Sequence, residues 1–321
     1  MTKRIFGIAV ALFITHFSIP ATAEGQYAGK KILFIDSYHL GYVWSDGVAR
    51  GIEDTLEGTG IELKRVEMDT KRHTSEAFKH TAALSAKAEI ERFKPDVVIA
   101  CDDNAAKYLI MPYYKNADLP IVFCGLNWDT SEYGFPYDNT TGMVEIDMMP
   151  QVIKQLGRYA QGSRIGFIGD NTLTSKKNIQ NHSDILNIKY DHIYLADSFE
   201  EWKRMYLELQ DKVDMAILIN NAGISDWDQE TAIKFVEDNT RIPTGTNNEW
   251  MMKISMIGII KIPEEQGSWS AQAALKILDG TSPTKIPITH NKQGKLYFNL
   301  KLGKKFGIDA APAGSIVIER E

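Results

Sequence analysis

The chain has 321 residues, a formal charge of −6 at pH 7, 44% apolar and 24% charged residues. That is the balance of a soluble globular protein of about two domains, not of a disordered chain or a polytopic membrane protein. A net-negative chain with no clustered basic stripe, only short basic pairs such as Lys71-Arg72 and Lys304-Lys305, lacks the electrostatic footprint for nucleic acid.

The first element is a targeting segment. Lys3 and Arg4 form a basic start, Ile5 to Phe17 is mainly apolar, Pro20 breaks the run, and Ala21-Thr22-Ala23 has the form of a signal-peptidase site. Residues 1–23 are expected to be a cleaved signal peptide and the mature chain to be periplasmic, with an uncleaved anchor as the alternative. The apolar stretch is short for a membrane-spanning helix, which needs about 20 residues. Removing the segment takes away Lys3 and Arg4 and no acid, leaving a charge of −8.

Beyond it, strands alternate with helices twice over. Strands are predicted at Lys31–Ile35, Ile61–Met68, Asp96–Ala100 and Pro120–Phe123, with helices at Ser45–Glu57, Thr74–Phe93 and Asn104–Tyr113 between them. The second half repeats the pattern with strands Arg164–Ile168, Lys189–Leu195, Met215–Ile219 and Ile242–Gly245, and helices Ser175–Leu186, Phe199–Leu209 and Asp228–Glu237. Such alternation argues for an α/β fold with parallel sheets and right-handed crossovers. Asp138 to Gly142 and Ile257 to Pro263 read as crossovers between the halves, followed by a helix from Glu264 to Leu278, a strand at Leu296–Phe298 and a short helix near Leu300–Phe306. The expected lobes are 24–142 with about 263–285, and 143–262 with about 286–321.

The informative residues follow the strands, where ligands bind in open α/β sheets. After the first strand come Ser37, Tyr38, His39, Tyr42 and Trp44; after the second, Asp69; after the third, Asp102, Asp103 and Asn104; after the fourth, Asn127 and Trp128. In the second half the corresponding residues are Thr172, Asn220, Asn221, Asn247 and Trp250, and Glu145 lies near the first crossover. Together they would give a cleft of placed polar groups against aromatic walls. Each Asx, Ser or Thr could equally cap a helix, and Trp44 could pack on the core. A catalytic triad from Asp36, Ser37 and His39 is a poor reading, because three adjacent residues cannot orient one another. Cys101 and Cys124 fall at the ends of neighbouring strands, where Cβ vectors are not aimed at each other; two free thiols are favoured over a bridge, which export would permit. Two cysteines and seven scattered histidines have no zinc-type spacing, so neither metal nor other cofactor is expected.

A further series runs through Pro120-Ile121-Val122-Phe123 with Gly125, Asn139-Thr140-Thr141-Gly142, Arg164-Ile165-Gly166-Phe167, Asp214-Met215-Ala216-Ile217, Ile242-Pro243-Thr244, Ala274 to Gly280, Ile286-Pro287, Asn299-Leu300 and Lys304 to Ile308. In the order and spacing of these pieces the chain resembles the tryptophan/tyrosine type of ABC-transporter substrate-binding proteins, which have a two-lobed type I periplasmic-binding fold. The resemblance implies a monomer that captures a small molecule by hinge closure, with the hinge near Thr141-Gly142 and Ile257–Lys261, and delivers it to an ABC permease. The first loop departs from the amino-acid binders. Ser37-Tyr38-His39 with Gly41, Trp44 and Gly51 resembles a branch that also includes extracytoplasmic sensor modules, so sensing is the alternative role. The expected ligand carries a carboxylate, placed at the Asp103-Asn104 helix start, and a flat part held by Tyr38 and Trp44. An ammonium group would pair with Asp102 or Glu145.

Overall fold

The computed structural model describes residues 25–318; the signal-peptide expectation lies outside them. In chain order the strands are β1 (Lys31–Asp36), β2 (Glu62–Glu67), β3 (Val97–Cys101), β4 (Ile121–Asn127), β5 (Thr140–Glu145), β6 (Ile165–Asp170), β7 (His192–Ala196), β8 (Met215–Leu218), β9 (Thr244–Thr246), β10 (Ile257–Lys261), β11 (Thr289–His290), β12 (Gly294–Asn299) and β13 (Ile316–Ile318). The helices are α1 (Val43–Leu56), α2 (Glu76–Phe93), α3 (Asp102–Ala105), α4 (Met111–Tyr113), α5 (Met149–Leu156), α6 (Leu173–Asp184), α7 (Phe199–Lys212), α8 (Gln229–Asn239), α9 (Pro263–Leu278) and α10 (Leu300–Lys304). A π-helical turn, Ala106–Ile110, joins α3 to α4, so one continuous helical rod follows β3.

Two sheets result, ordered β11-β5-β4-β3-β1-β2 and β13-β12-β10-β9-β8-β6-β7. Pairing is parallel except between β10 and β12. Ile32 to Ile35 and Val97 to Cys101 are buried throughout, as expected of strands covered on both faces. The second sheet packs around Trp202, Tyr206, Phe167 and Phe298, all fully buried. Helix starts follow cap chemistry: Ser75, Thr172, Ser198 and Asp228 each accept a hydrogen bond from the backbone N–H three residues on.

The chain passes between the sheets at three places: after Glu145, after Lys261 and after His290. It therefore leaves the first sheet later than Gly142. Thr140 to Glu145 is a full strand, β5, and Thr141 donates its hydroxyl to Ile286 O at 2.7 Å. Ile257 to Lys261 is likewise a strand of the second sheet, not a crossover, and β11 keeps residues 289–290 with the first sheet. The crossovers are laced together. Asn291 accepts from Ile146 N at 2.7 Å and donates to Ile146 O at 3.1 Å, and Glu265 accepts from Lys292 N and Gln293 N at 2.9 and 2.8 Å.

Helix α9 returns from the second lobe to lie on α1. A Cβ at Gly51 would stand 2.2 Å from Glu264 O, and one at Gly267 only 2.0 Å from Val48 O, so this backbone contact requires glycine on both helices. Gly51→Ala is expected to destabilise by about 2 kcal/mol through overpacking; urea unfolding measures it, and an unchanged midpoint would refute the contact.

Cys101 and Cys124 form a disulfide, not two free thiols, with Cα atoms 4.7 Å apart. They are register partners at the last step before the strands diverge. Beyond them Asp102 and Gly125 both turn to positive φ, +68° and +69°, and β4 shifts register against β5 between Phe123 and Leu126. The regular strand geometry that would misdirect the two Cβ atoms ends here.

Candidate ligand-binding cleft

Between the carboxyl ends of the two sheets lies a cleft of about 480 Å³, within the usual range for small-molecule sites. The first lobe lines it with Tyr38, Tyr42 and Trp44 from the β1–α1 loop, and with Lys71, Asp102, Asn127 and Glu145. The second lobe contributes Asn247, Asn248, Glu249 and Trp250 after β9, and Ile260 and Lys261 of β10.

The aromatic loop is held from beneath. Asp36, fully buried, accepts hydrogen bonds from Tyr38 N at 2.9 Å and Ser45 Oγ at 2.8 Å, and pairs with Arg65 at 2.6 Å. Tyr38 O and Ser37 O accept from Asp69 N and Thr70 N at 2.8 and 2.9 Å, prolonging the β1–β2 pairing into the loops. Tyr38 and Tyr42 meet edge to face at 5.2 Å, and Lys71 Nζ stands 4.9 and 5.0 Å from their ring centroids, a cation–π arrangement. Burial and the charges of Asp102 and Asp103 hold the Tyr38 hydroxyl protonated well beyond its ordinary range.

Asp102 is 3% exposed, and its Oδ2 has no hydrogen-bond partner among the described residues. Burial, and then the charges of Glu145, Asp36 and Asp103, push its carboxyl well above the usual carboxylate range. Glu145 is pushed up by burial against the pull of Lys261, with which it pairs. Lys261 also stands 3.8 Å from Asp147. Burial opposes the charge of Asp147, but His182 at 3.1 Å, Lys261 and the Asn247 amide keep its carboxyl below the ordinary value.

Of the residues singled out in the sequence, Tyr38, Trp44, Asp102, Asn127, Glu145 and Asn247 reach the cleft, with Tyr42 and Trp250 of the aromatic wall. The others are placed elsewhere. Ser37 Oγ donates to Cys101 O at 2.5 Å and accepts from Ala105 N at 2.8 Å, capping the rod after β3. His39 Nδ1 lies 2.9 Å from Leu40 O, and no hydrogen bond joins it to Ser37 among the described residues. Asp69 pairs with Arg72 at 2.7 Å. Asn104 donates to Thr70 Oγ1 at 2.8 Å. Asp103 accepts from Asn127 Nδ2 and the Tyr133 hydroxyl at 2.8 and 2.7 Å. The helix start offered to a ligand carboxylate is thus already occupied by Ser37 and carries two acids. Trp128 stacks edge-on against His182, 5.7 Å between ring centroids. Thr172 and Asn220 both donate to the buried Asp170 carboxylate, at 2.8 and 3.0 Å, and Asn221 begins the turn closed by Ile224 N at 3.0 Å. Lys71, Asn248, Glu249, Ile260 and Lys261 line the cleft without having been singled out. For Lys71 the signal was its place directly after Asp69-Thr70; for Lys261, its place at the end of an apolar run.

The sequence profile of the family described as ABC transporter substrate binding protein matches residues 45–313. The chain belongs to this family. Members act outside the cytoplasm and bind solutes; the family and the neighbouring structures are binding proteins, not enzymes. No curated protein matches the chain in sequence. Among solved structures, a ligand-free, open substrate binding protein with adhesive properties from Clostridium difficile is 16% identical, with a TM-score of 0.66 over 91% of this chain and 100% of that one. A periplasmic ribose ABC transporter protein from Conexibacter woesei is 12% identical, with a TM-score of 0.54 over 88% and 96%. An ABC transporter solute binding protein from Bradyrhizobium, with bound Bis-Tris, is 13% identical, with a TM-score of 0.54 over 88% and 86%. The shared architecture is the type I periplasmic-binding fold.

Proposed function

We propose that this substrate-binding protein captures a small organic molecule with a flat apolar part in the interlobe cleft and delivers it to the permease of an ABC importer. The observation that carries the reading is the lining itself: Tyr38, Tyr42 and Trp44 of one lobe and Trp250 of the other line one cleft of about 480 Å³. A flat group held between them gains contact only as the lobes approach, so binding favours the closed form. The hinge is assigned to the three crossovers at 146–148, 262 and 291–293. The protein is read as a periplasmic monomer, released by cleavage after Ala23.

A thermal-shift screen of amino acids, aromatic amines, nucleosides, small carboxylates and sugars tests the reading. A ligand at a hundredfold excess over its Kd adds about 2.7 kcal/mol, a shift of several degrees, accompanied by a change in tryptophan emission. Shifts from sugars alone, with none from any aromatic compound, would overturn it.

A further inference from the structure

We infer that the obligatory polar group of the ligand is a protonated amine, received between Asp102 Oδ2 and Asn247 Oδ1; this rests on the aromatic-capture reading above.

Two buried acceptors in the cleft lack donors, one from each lobe. Asp102 Oδ2 belongs to a residue only 3% exposed and is without a partner among the described residues, and Asn247 Oδ1 is likewise without one. Asn247 Oδ1 cannot be satisfied by the Asp147 carboxylate, whose charge the Asn247 amide favours, because an ionised carboxylate only accepts. An ammonium group brings three donors and a charge, and a charge-assisted bond is the strong kind. Among the described residues no cation forms an ion pair with Asp102, although the charge of Lys71 reaches it. Lys261 is engaged by Glu145 and lies near Asp147, and Lys71 stands over the Tyr38 and Tyr42 rings. Trp44 Nε1, a buried donor of the same cleft that also lacks a partner among the described residues, offers a ligand acceptor one neutral N–H, whereas an amine meets a carboxylate, so the amine decides recognition.

Asp102 is held for this task by its neighbours. The disulfide ties Cys101 to β4, and Ser37 Oγ donates to Cys101 O at 2.5 Å. Gly125 faces the carboxylate with nothing in the way: a Cβ there would stand 2.9 Å from Asp102 Oδ1. The left-handed backbone of Asp102, unfavourable for a residue with a side chain, is the conformation in which the carboxyl lines the cleft.

The experiment is a thermal-shift and calorimetric comparison of matched pairs on the purified protein: tryptophan with indole-3-propionate, phenylalanine with 3-phenylpropanoate, tyramine with 4-ethylphenol. The amine member of a binding pair is expected to bind about 10- to 100-fold more tightly. Asp102→Asn, which keeps the shape and removes the charge, should abolish that preference while melting no lower than the parent. Gly125→Ala, which crowds the carboxylate without neutralising it, should weaken the amine member more than its partner. Equal affinity within pairs, or an Asp102→Asn affinity for the amine within twofold of the parent, overturns the amine subsite and leaves aromatic capture standing. Absence of binding by every member overturns both.

Discussion

Lys261→Met is expected to lower the unfolding free energy by about 3 kcal/mol at pH 8, the lower end of the range for breaking a buried ion pair. Glu145 is 8% exposed and pairs with Lys261, which also stands 3.8 Å from Asp147. The lysine side chain keeps 28% of its surface in water, which is why the lower end applies. Without the ammonium group, Glu145 keeps its burial and loses the charge that opposed it, so its folded-state value rises further above the unfolded one. A carboxyl raised in this way binds more protons folded than unfolded, so stability falls as pH climbs from the ordinary carboxylate range through the raised value. The loss in Lys261→Met should therefore shrink toward pH about 4, near the unperturbed glutamate value. Adding Glu145→Gln should recover most of the loss, because the unpaired charge is then gone. Urea unfolding at pH 5 and pH 8 checks both statements. A change under about 0.5 kcal/mol at pH 8, the scale of an ordinary surface substitution, would show that the pair stabilises nothing.

Replacing Cys101 and Cys124 together by alanine is expected to cost about 3 kcal/mol and several degrees of melting temperature. The bridge closes a loop with a sequence separation of 23, for which the chain-entropy relation gives about 3.5 kcal/mol. Both sulfur-bearing residues are at most 1% exposed. Reductant should accordingly leave the folded protein intact and act only as it opens, so that melts in dithiothreitol fall to the level of the double variant. Coincident melts for the oxidised, reduced and alanine forms would refute a stabilising bridge.

How much could be read from the sequence depended on what each strand buries. β1 and β3 are continuous apolar runs with both faces covered, and they were legible. β5, Thr-Thr-Gly-Met-Val-Glu, reads as a polar connection, because its threonines are buried through hydrogen bonds and Gly142 lies under the Phe123 ring, where a Cβ would stand 2.1 Å from Cδ2. No local pattern reports that. The aromatic first loop stood out for its composition, and it does line the cleft. The acids after β3 were visible as a pair, but only the tertiary structure separates their tasks. The positive φ of Asp102 accompanies a carboxyl that lines the cleft, while Asp103 is turned to Asn127 and Tyr133. Thr172 and Asn220 looked identical in kind to Asn247, yet they converge on Asp170, a buried acid whose demand for donors is invisible until β6 and β8 are side by side.

The threefold passage of the chain between the sheets has a consequence for biosynthesis. The first sheet begins with residue 31 but receives α9 only with residues 263–278 and its edge strand only with 289–290. A ribosome must therefore deliver the chain through residue 290 before the earlier-made lobe can close its own core. Until then α1 lacks the helix that packs on Gly51. A chain wired in this way completes its two halves late and together.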